Sequence, residues 1–238
     1  EIVDNAVDEA MSGYAHNIRV TLHEDGSASV YDDGRGLPVD QHPTLHVSGV
    51  EVIYTRLHAG GKFNNENYAY SGGLHGVGAS VVNALSAWLT VDVFSDFRHY
   101  QMRFESRFDP KLNKVVAGRP VGPLQALNNT RRRGTLVRFL PDPAVFETRV
   151  FNGEVVARRL RELAYLNKGV TIVFTDERAK APLEAVRDAA DEPRVDALGV
   201  GERDQTVFIG PAADDEQGES RRVEQAQGFD QDIDALVP

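Results

Sequence analysis

Two periodicities alternate along the chain. From Ile2 to Met11 the apolar side chains fall on one side of a 3.6-residue repeat, which predicts an amphipathic helix. "NIRVTLH" and "SASVYDD" then alternate with period two around Glu24–Asp25–Gly26, the pattern of a hairpin. Val77 to Ala87 reads as a second helix. "WLTVDVF" and "RHYQMRFES" form a second strand pair around a short polar turn, and "GTLVRFLP" is a further strand. In "EVVARRLRELAYLN", Val156, Leu160, Leu163 and Leu166 share one face with arginines opposite, so a surface helix with a core stripe is predicted there, followed by a last strand in "GVTIVFTD". Hairpins outnumber strand-helix-strand units and no internal repeat is visible. The predicted class is therefore α+β, a two-layer sandwich with helices on one face of a mixed, mostly antiparallel sheet.

Composition narrows the setting. The 238 residues suffice for one large domain or one and a half. No apolar run approaches the ~18 residues of a membrane span. The absence of cysteine excludes disulfides and thiolate metal sites, and fits a cytoplasmic protein. Because Glu1 opens inside a helical pattern, the chain is expected to be a fragment whose beginning lies upstream. Charge is unevenly spread: residues 1–175 carry 19 acidic and 19 basic side chains, whereas residues 176–238 carry 17 acidic and 7 basic, so the whole net charge of −10 belongs to the last quarter. That segment reads as an acidic tail, diverged or partly disordered. Neither part shows the clustered Lys and Arg of a phosphate-backbone footprint, and Arg131 to Arg133 reads as a solvated loop tip.

Three clusters carry candidate chemistry. In "YSGGLHGVGASVVNALS", Gly72, Gly73, Gly76 and Gly78 precede a helical pattern. Glycines lose the most backbone entropy on folding and add nothing to a core, so bare amides converging on an anion are a reason for such a run. The G-x-x-x-x-G-K-[ST] phosphate loop is absent, and no strand leads directly into a G-x-G-x-x-G turn. In "EIVDNAVDE", Glu1 and Asn5 share a helix face with Asp8 one turn along, a carboxylate and a carboxamide suited to a general base beside an oxygen ligand for Mg²⁺. In "YDDGRGLP", Asp32 can accept a hydrogen bond from an exocyclic amine, while Gly34 and Gly36 let a flat base approach the backbone. Each cluster alone also fits an ordinary polar helix face, acidic turn or flexible loop.

In this order, Glu1/Asn5, Asp32/Gly34/Gly36 and Gly73/Gly76/Gly78 resemble the signature of the GHKL ATPases, whose Bergerat-type ATP-binding fold is the sandwich expected above. "LHAGGKF" and "SGGLHGVGASVVNALS" narrow the resemblance to the ATPase domain of type II topoisomerase B subunits, those of DNA gyrase and topoisomerase IV. The resemblance covers Glu1 to about Asp176 and implies an ATP-binding domain at 1–176. It implies Glu1 as the base that polarises the attacking water, Asn5 as the Mg²⁺ ligand with Asp8 nearby, and Asp32 as the adenine reader assisted by Thr135. Glu9 and Arg35 occupy positions that pair, with Arg35, Gly36 and Pro38 flanking the base. Lys62 and Tyr68 fall in the lid segment, for phosphate and nucleoside respectively, and Leu74, His75, Gly76, Val77 and Gly78 border the β- and γ-phosphates. Val81, Val82, Ala84 and Leu85 are expected to anchor that loop to the core.

The cofactors implied are ATP and Mg²⁺. The partners implied are a second copy through an N-terminal arm upstream of Glu1, the A subunit of the same topoisomerase, and DNA through the full-length assembly. The function implied is ATP hydrolysis driving DNA strand passage, with an ATP-binding module of negligible turnover as the alternative for the fragment. Two features depart from the family. Residues 177–238 lack the expected opening of the transducer domain and read either as a diverged or degraded entry to it or as a sequence that has lost frame. Tyr100, in "RHYQMRF", stands where relatives usually carry an arginine that contacts aminocoumarin drugs, so weakened binding of these drugs is expected.

Overall fold

The computed structural model describes residues 1–57, 78–178 and 205–209. Among these residues four helices, α1 (Ile2–Met11), α2 (Gly49–Thr55), α3 (Gly78–Ala84) and α4 (Gly153–Leu166), accompany nine strands. The strands are β1 (Asn17–Leu22), β2 (Ala28–Asp32), β3 (Ser86–Ser95), β4 (Arg98–Asp109), β5 (Lys114–Pro120), β6 (Gln125–Asn129), β7 (Gly134–Pro141), β8 (Thr171–Asp176) and β9 (Gln205–Ile209). Their order in one sheet is β5-β4-β3-β7-β2-β1-β8-β9, with β6 also on β4. All described pairings are antiparallel except β1 with β8. The mixed, mostly antiparallel α+β sandwich predicted above is the observed fold.

Alternation decides which face of the sheet meets the helices. Ile18, Val20 and Leu22 of β1, Leu89, Val91 and Val93 of β3, and Ile172 and Phe174 of β8 join one core with Ile2, Ala6, Val7 and Ala10 of α1 and Ala157, Leu160, Leu163 and Ala164 of α4. The intervening positions, among them Arg19, Thr21, Asp92 and His99, lie on the other face. Side chains of Ser48 and Asn152 accept from Glu51 N and Val155 N and so cap α2 and α4. Such caps contribute about 1 kcal/mol each.

Several expectations shift. The second helix ends at Ala84, and Ser86 already pairs with Pro141 in β3, so the predicted run to Ala87 was too long. Leu166 is exposed, and Ala157 and Ala164 complete the stripe of α4 instead. In α3 only Val82 of the four expected anchors packs on the core; Val81, Ala84 and Leu85 are exposed, and the buried residues are Ala79, Ser80 and Asn83. Inside the acidic segment, β9 pairs antiparallel with β8.

Candidate functional site

Helix α1 supplies one wall. The amide of Asn5 donates to the carbonyl of Glu1 at 3.1 Å, which fixes the two side chains one turn apart on the same face. Glu1 is exposed, Asn5 and Asp8 are half-buried, and Glu9 is buried. Gly78, the first residue of α3, lies directly against Glu1: a Cβ there would overlap Glu1 Oε2 and sit 3.2 Å from its Cδ. The end of the glycine run and the expected base, separate in sequence, thus meet.

The end of β2 supplies the other wall. Asp32 pairs in register with Thr135 of β7, and its Oδ1 accepts from Gly34 N at 2.9 Å. Burial pushes the Asp32 carboxyl up to about 7, and the charges of Glu9 and Asp33 push the same way against the hydrogen bonds from the Gly34 and Thr135 amides. A carboxyl held this far from its ordinary value, at the end of a strand, marks a candidate functional position.

Between the walls sits an ion pair. Glu9 Oε1 accepts from Arg35 N and Arg35 Nε, and Glu9 Oε2 from Arg35 Nη2, each at 2.9 Å. Burial raises the Glu9 pKa, but the hydrogen bonds and charge of Arg35 outweigh it and hold the group below its usual range. The guanidinium also stacks 3.6 Å from the centre of the Tyr14 ring. Glu9 and Arg35 pair as expected.

The two glycines after Asp32 serve different ends. A Cβ on Gly34 would run into Glu9 Cγ and Asp32 Oδ1, so the packing of these two carboxylates already requires a glycine there. Gly36 has φ of 82°, and a Cβ there would press on Val93 Cγ1 at 3.1 Å and the Gly134 carbonyl at 3.3 Å. Pro38 is half-buried, and Gly49 at the start of α2 packs so closely on its carbonyl and Cβ that a Cβ on Gly49 would lie 2.5 Å from the Pro38 carbonyl oxygen.

Sequence reading missed Gly134 and misplaced Arg132. Gly134 has φ of 115°, and a Cβ on it would overlap the Asp32 carbonyl oxygen. Substituting Gly134→Ala should therefore lower the melting temperature and weaken any ligand held by Asp32 and Thr135; a variant that melts and binds like wild type would refute that coupling. Arg132 is half-buried, not solvated, with its guanidinium carbon 4.3 Å from the Phe94 ring centre and 5.0 Å from that of Tyr31. Phe94 stacks in turn on His99 at 4.7 Å, and Tyr31 donates to the Arg133 carbonyl at 2.7 Å. This stack holds the loop that presents Gly134 and Thr135 to Asp32. The repeated arginines were the available signal, but only the fold sets one of them over aromatic rings.

Tyr100 lies on β4 opposite Val93 and borders an open cleft with Phe97, Arg98 and Arg131. Lys62, Tyr68, Gly73, Leu74, His75, Gly76 and Val77 lie outside the described residues.

The family model of the histidine kinase-, DNA gyrase B- and HSP90-like ATPases matches residues 1–143, which contain both walls of this site. The chain belongs to that ATPase family. Among curated relatives, it is 50% identical over 201 residues to the type 2 topoisomerase B subunit of Aquifex aeolicus, covering 84% of this chain and 24% of the relative. It is 51% identical over 176 residues to the DNA gyrase B subunit of Thermotoga maritima (74% and 26%), and 52% identical over 187 residues to the DNA topoisomerase 4 B subunit of Enterococcus faecalis (78% and 26%). The chain spans about a quarter of the length of these relatives. No described helix is long and apolar enough to cross a membrane.

Among the described residues no three His, Asp or Glu side chains form a cage that could hold a metal by themselves. Asn5 offers one neutral oxygen donor, which suits Mg²⁺ taking its other ligands from phosphate and water.

Proposed function

We propose that this chain is the nucleotide-binding part of the B subunit of a type II topoisomerase, DNA gyrase or topoisomerase IV, in which ATP hydrolysis drives DNA strand passage in the cytoplasm. The observation that carries the reading is the placement of Asp32 with Thr135 at one end and Glu1 against Gly78 at the other, joined by the pair of Glu9 on α1 with Arg35 in the loop after β2. Asp32 accepts from the adenine amine, and Thr135 helps hold the water that bridges base and carboxylate. Arg35, Gly36 and Pro38 flank the base. Glu1 takes a proton from water as its oxygen bonds to the γ-phosphorus and the bond to the β-phosphate oxygen breaks, leaving ADP and phosphate. Asn5 would hold Mg²⁺, which when bound neutralises phosphate charge. The full-length protein would act as a dimer, with the A subunit, on DNA.

The test is nucleotide selectivity measured by calorimetry. ATP should bind at least about tenfold tighter than GTP, whose carbonyl at the amine position confronts the Asp32 acceptor without a proton to donate. Equal affinities would overturn the assignment of Asp32. The metal role has its own readout. Asn5→Ala should abolish the gain in ATP affinity on adding Mg²⁺, whereas Asn5→Asp should keep the metal yet hold ATP more weakly, because it adds a charge beside the phosphates. Titrations with and without Mg²⁺ check this, and a full wild-type gain in Asn5→Ala would remove Asn5 from the site. For the aminocoumarins, Tyr100→Arg should strengthen drug binding and leave ATP affinity alone, since a guanidinium restores a charge-assisted contact; unchanged drug affinity would refute the role of this position.

A further inference from the structure

Helix α3 is short, with three of its seven residues buried, and the largest of these is polar. Asn83 is 2% exposed, and its Nδ2 donates at 2.9 Å to two carbonyls, that of Tyr54 in α2 and that of Gly118 in β5. Both neighbours are acceptors, so chemistry fixes which end of the carboxamide faces them. Asn83 Oδ1 is buried with no partner among the described residues, so the side chain is placed by its two donated bonds alone. Gly118 completes the fit, with φ of 58° and no room for a Cβ, which would lie 2.6 Å from Asn83 Nδ2.

We infer that Asn83 is a positioning residue for the phosphate end of the site. One carboxamide ties together α2, α3 and β5, and α3 is the element that sets Gly78 against the Glu1 carboxylate. Of the expected apolar anchors only Val82 packs on the core, while Val81, Ala84 and Leu85 are exposed, so apart from Val82 and the small Ala79 and Ser80 the inward side of α3 is held by Asn83. The adenine end, Asp32 with Thr135, belongs to β2 and β7 and has no bond to Asn83. Loss of the carboxamide therefore releases the phosphate end and leaves the adenine end in place. This inference rests on the ATP-binding reading above.

The experiment compares ATP with adenosine, each titrated by calorimetry at least ten degrees below the melting temperature of the variant. Wild type should bind ATP more tightly than adenosine; if it does not, the functional reading fails and the inference falls with it. Given that difference, Asn83→Asp, which keeps the shape but turns the donor into an acceptor against two carbonyls, should lower ATP affinity at least tenfold at pH 8 and leave adenosine affinity unchanged. Gly118→Ala provides the second variant, pressing on the same carboxamide from a strand outside the nucleotide site, and should show the same selective loss. A merely structural role predicts a lower melting temperature with both affinities of the folded protein intact, or both reduced in proportion. Either pattern, in whichever of the two variants folds, overturns the inference, as does an undiminished ATP affinity in Gly118→Ala should Asn83→Asp fail to fold.

Discussion

Asp32→Asn is expected to abolish measurable ATP binding while making the ligand-free protein more stable. The two effects share a cause. The Asp32 carboxyl is raised to about 7 by burial and by the charges of Glu9 and Asp33, so its ionised form is disfavoured in the empty site. A carboxylate raised on folding contributes stability that is fully present below its unfolded value, near 4, and is lost as pH rises through about 7. Replacing it with the neutral amide removes that loss, by about 1–3 kcal/mol above pH 7 once solvent screening of a half-buried group is allowed for, and the melting temperature should rise by a few degrees. For the nucleotide the sign is opposite. The ionised carboxylate is the better acceptor for the adenine amine, so wild-type ATP affinity should fall as pH drops from 8 to 6, approaching tenfold per unit below the midpoint. Asp32→Asn should show neither the affinity nor the pH dependence. Thermal melts and titrations across that range check both limbs; an Asn variant that binds ATP as wild type does would mean that another group reads the base.

What was legible in the sequence follows from how local each signal is. The hairpin β1–β2, the strands β3, β4, β7 and β8 and the helix α1 announce themselves through short-range periodicity, and the three site clusters through spacing within a few residues. Helix α2 escaped because "GVEVIYT" is rich in β-branched residues that favour strands. Its Ser48-x-x-Glu51 start, whose Ser48 side chain accepts from Glu51 N, was the available clue. The short strands β5, β6 and β9 depend on pairing with β4 or β8, which no window of sequence contains. The same limit applied to the site. Gly134 and Arg132 matter because β7 lies beside β2 in register, bringing position 134 onto the Asp32 carbonyl across a separation of about a hundred residues. Apolar positions in α3 suggested a hydrophobic anchor, yet Val81 and Ala84 are exposed, and the largest buried side chain of the helix is the polar Asn83. A glycine in a turn can be named from sequence. That neighbouring carboxylates also require it bare, as at Gly34, is visible only in the packing.

The second large effect belongs to Glu1. In the full-length protein, Glu1→Ala should leave ATP affinity within about twofold of wild type and lower kcat by about 10²–10⁴, because a general base acts in the reacting complex and contributes little to ground-state binding. Asp32 and Thr135, the proposed readers of adenine, lie on β2 and β7, away from this substitution, which is why binding and turnover should separate. The packing at α3 offers an independent way to reach the same result with the carboxylate still present. Since a Cβ on Gly78 would overlap Glu1 Oε2 and lie 3.2 Å from Cδ, Gly78→Ala should displace the Glu1 side chain, and the displacement is cheap because the end of a long, exposed side chain moves instead of backbone. Folding stability should change by less than about 1 kcal/mol, while kcat falls by at least about tenfold, since a misplaced base loses its alignment with the attacking water. Steady-state turnover and ATP titration of both variants make the comparison. If Glu1→Ala keeps wild-type kcat, Glu1 is not the base; if it loses turnover but Gly78→Ala does not, the carboxylate acts from a position that the contact with α3 does not set.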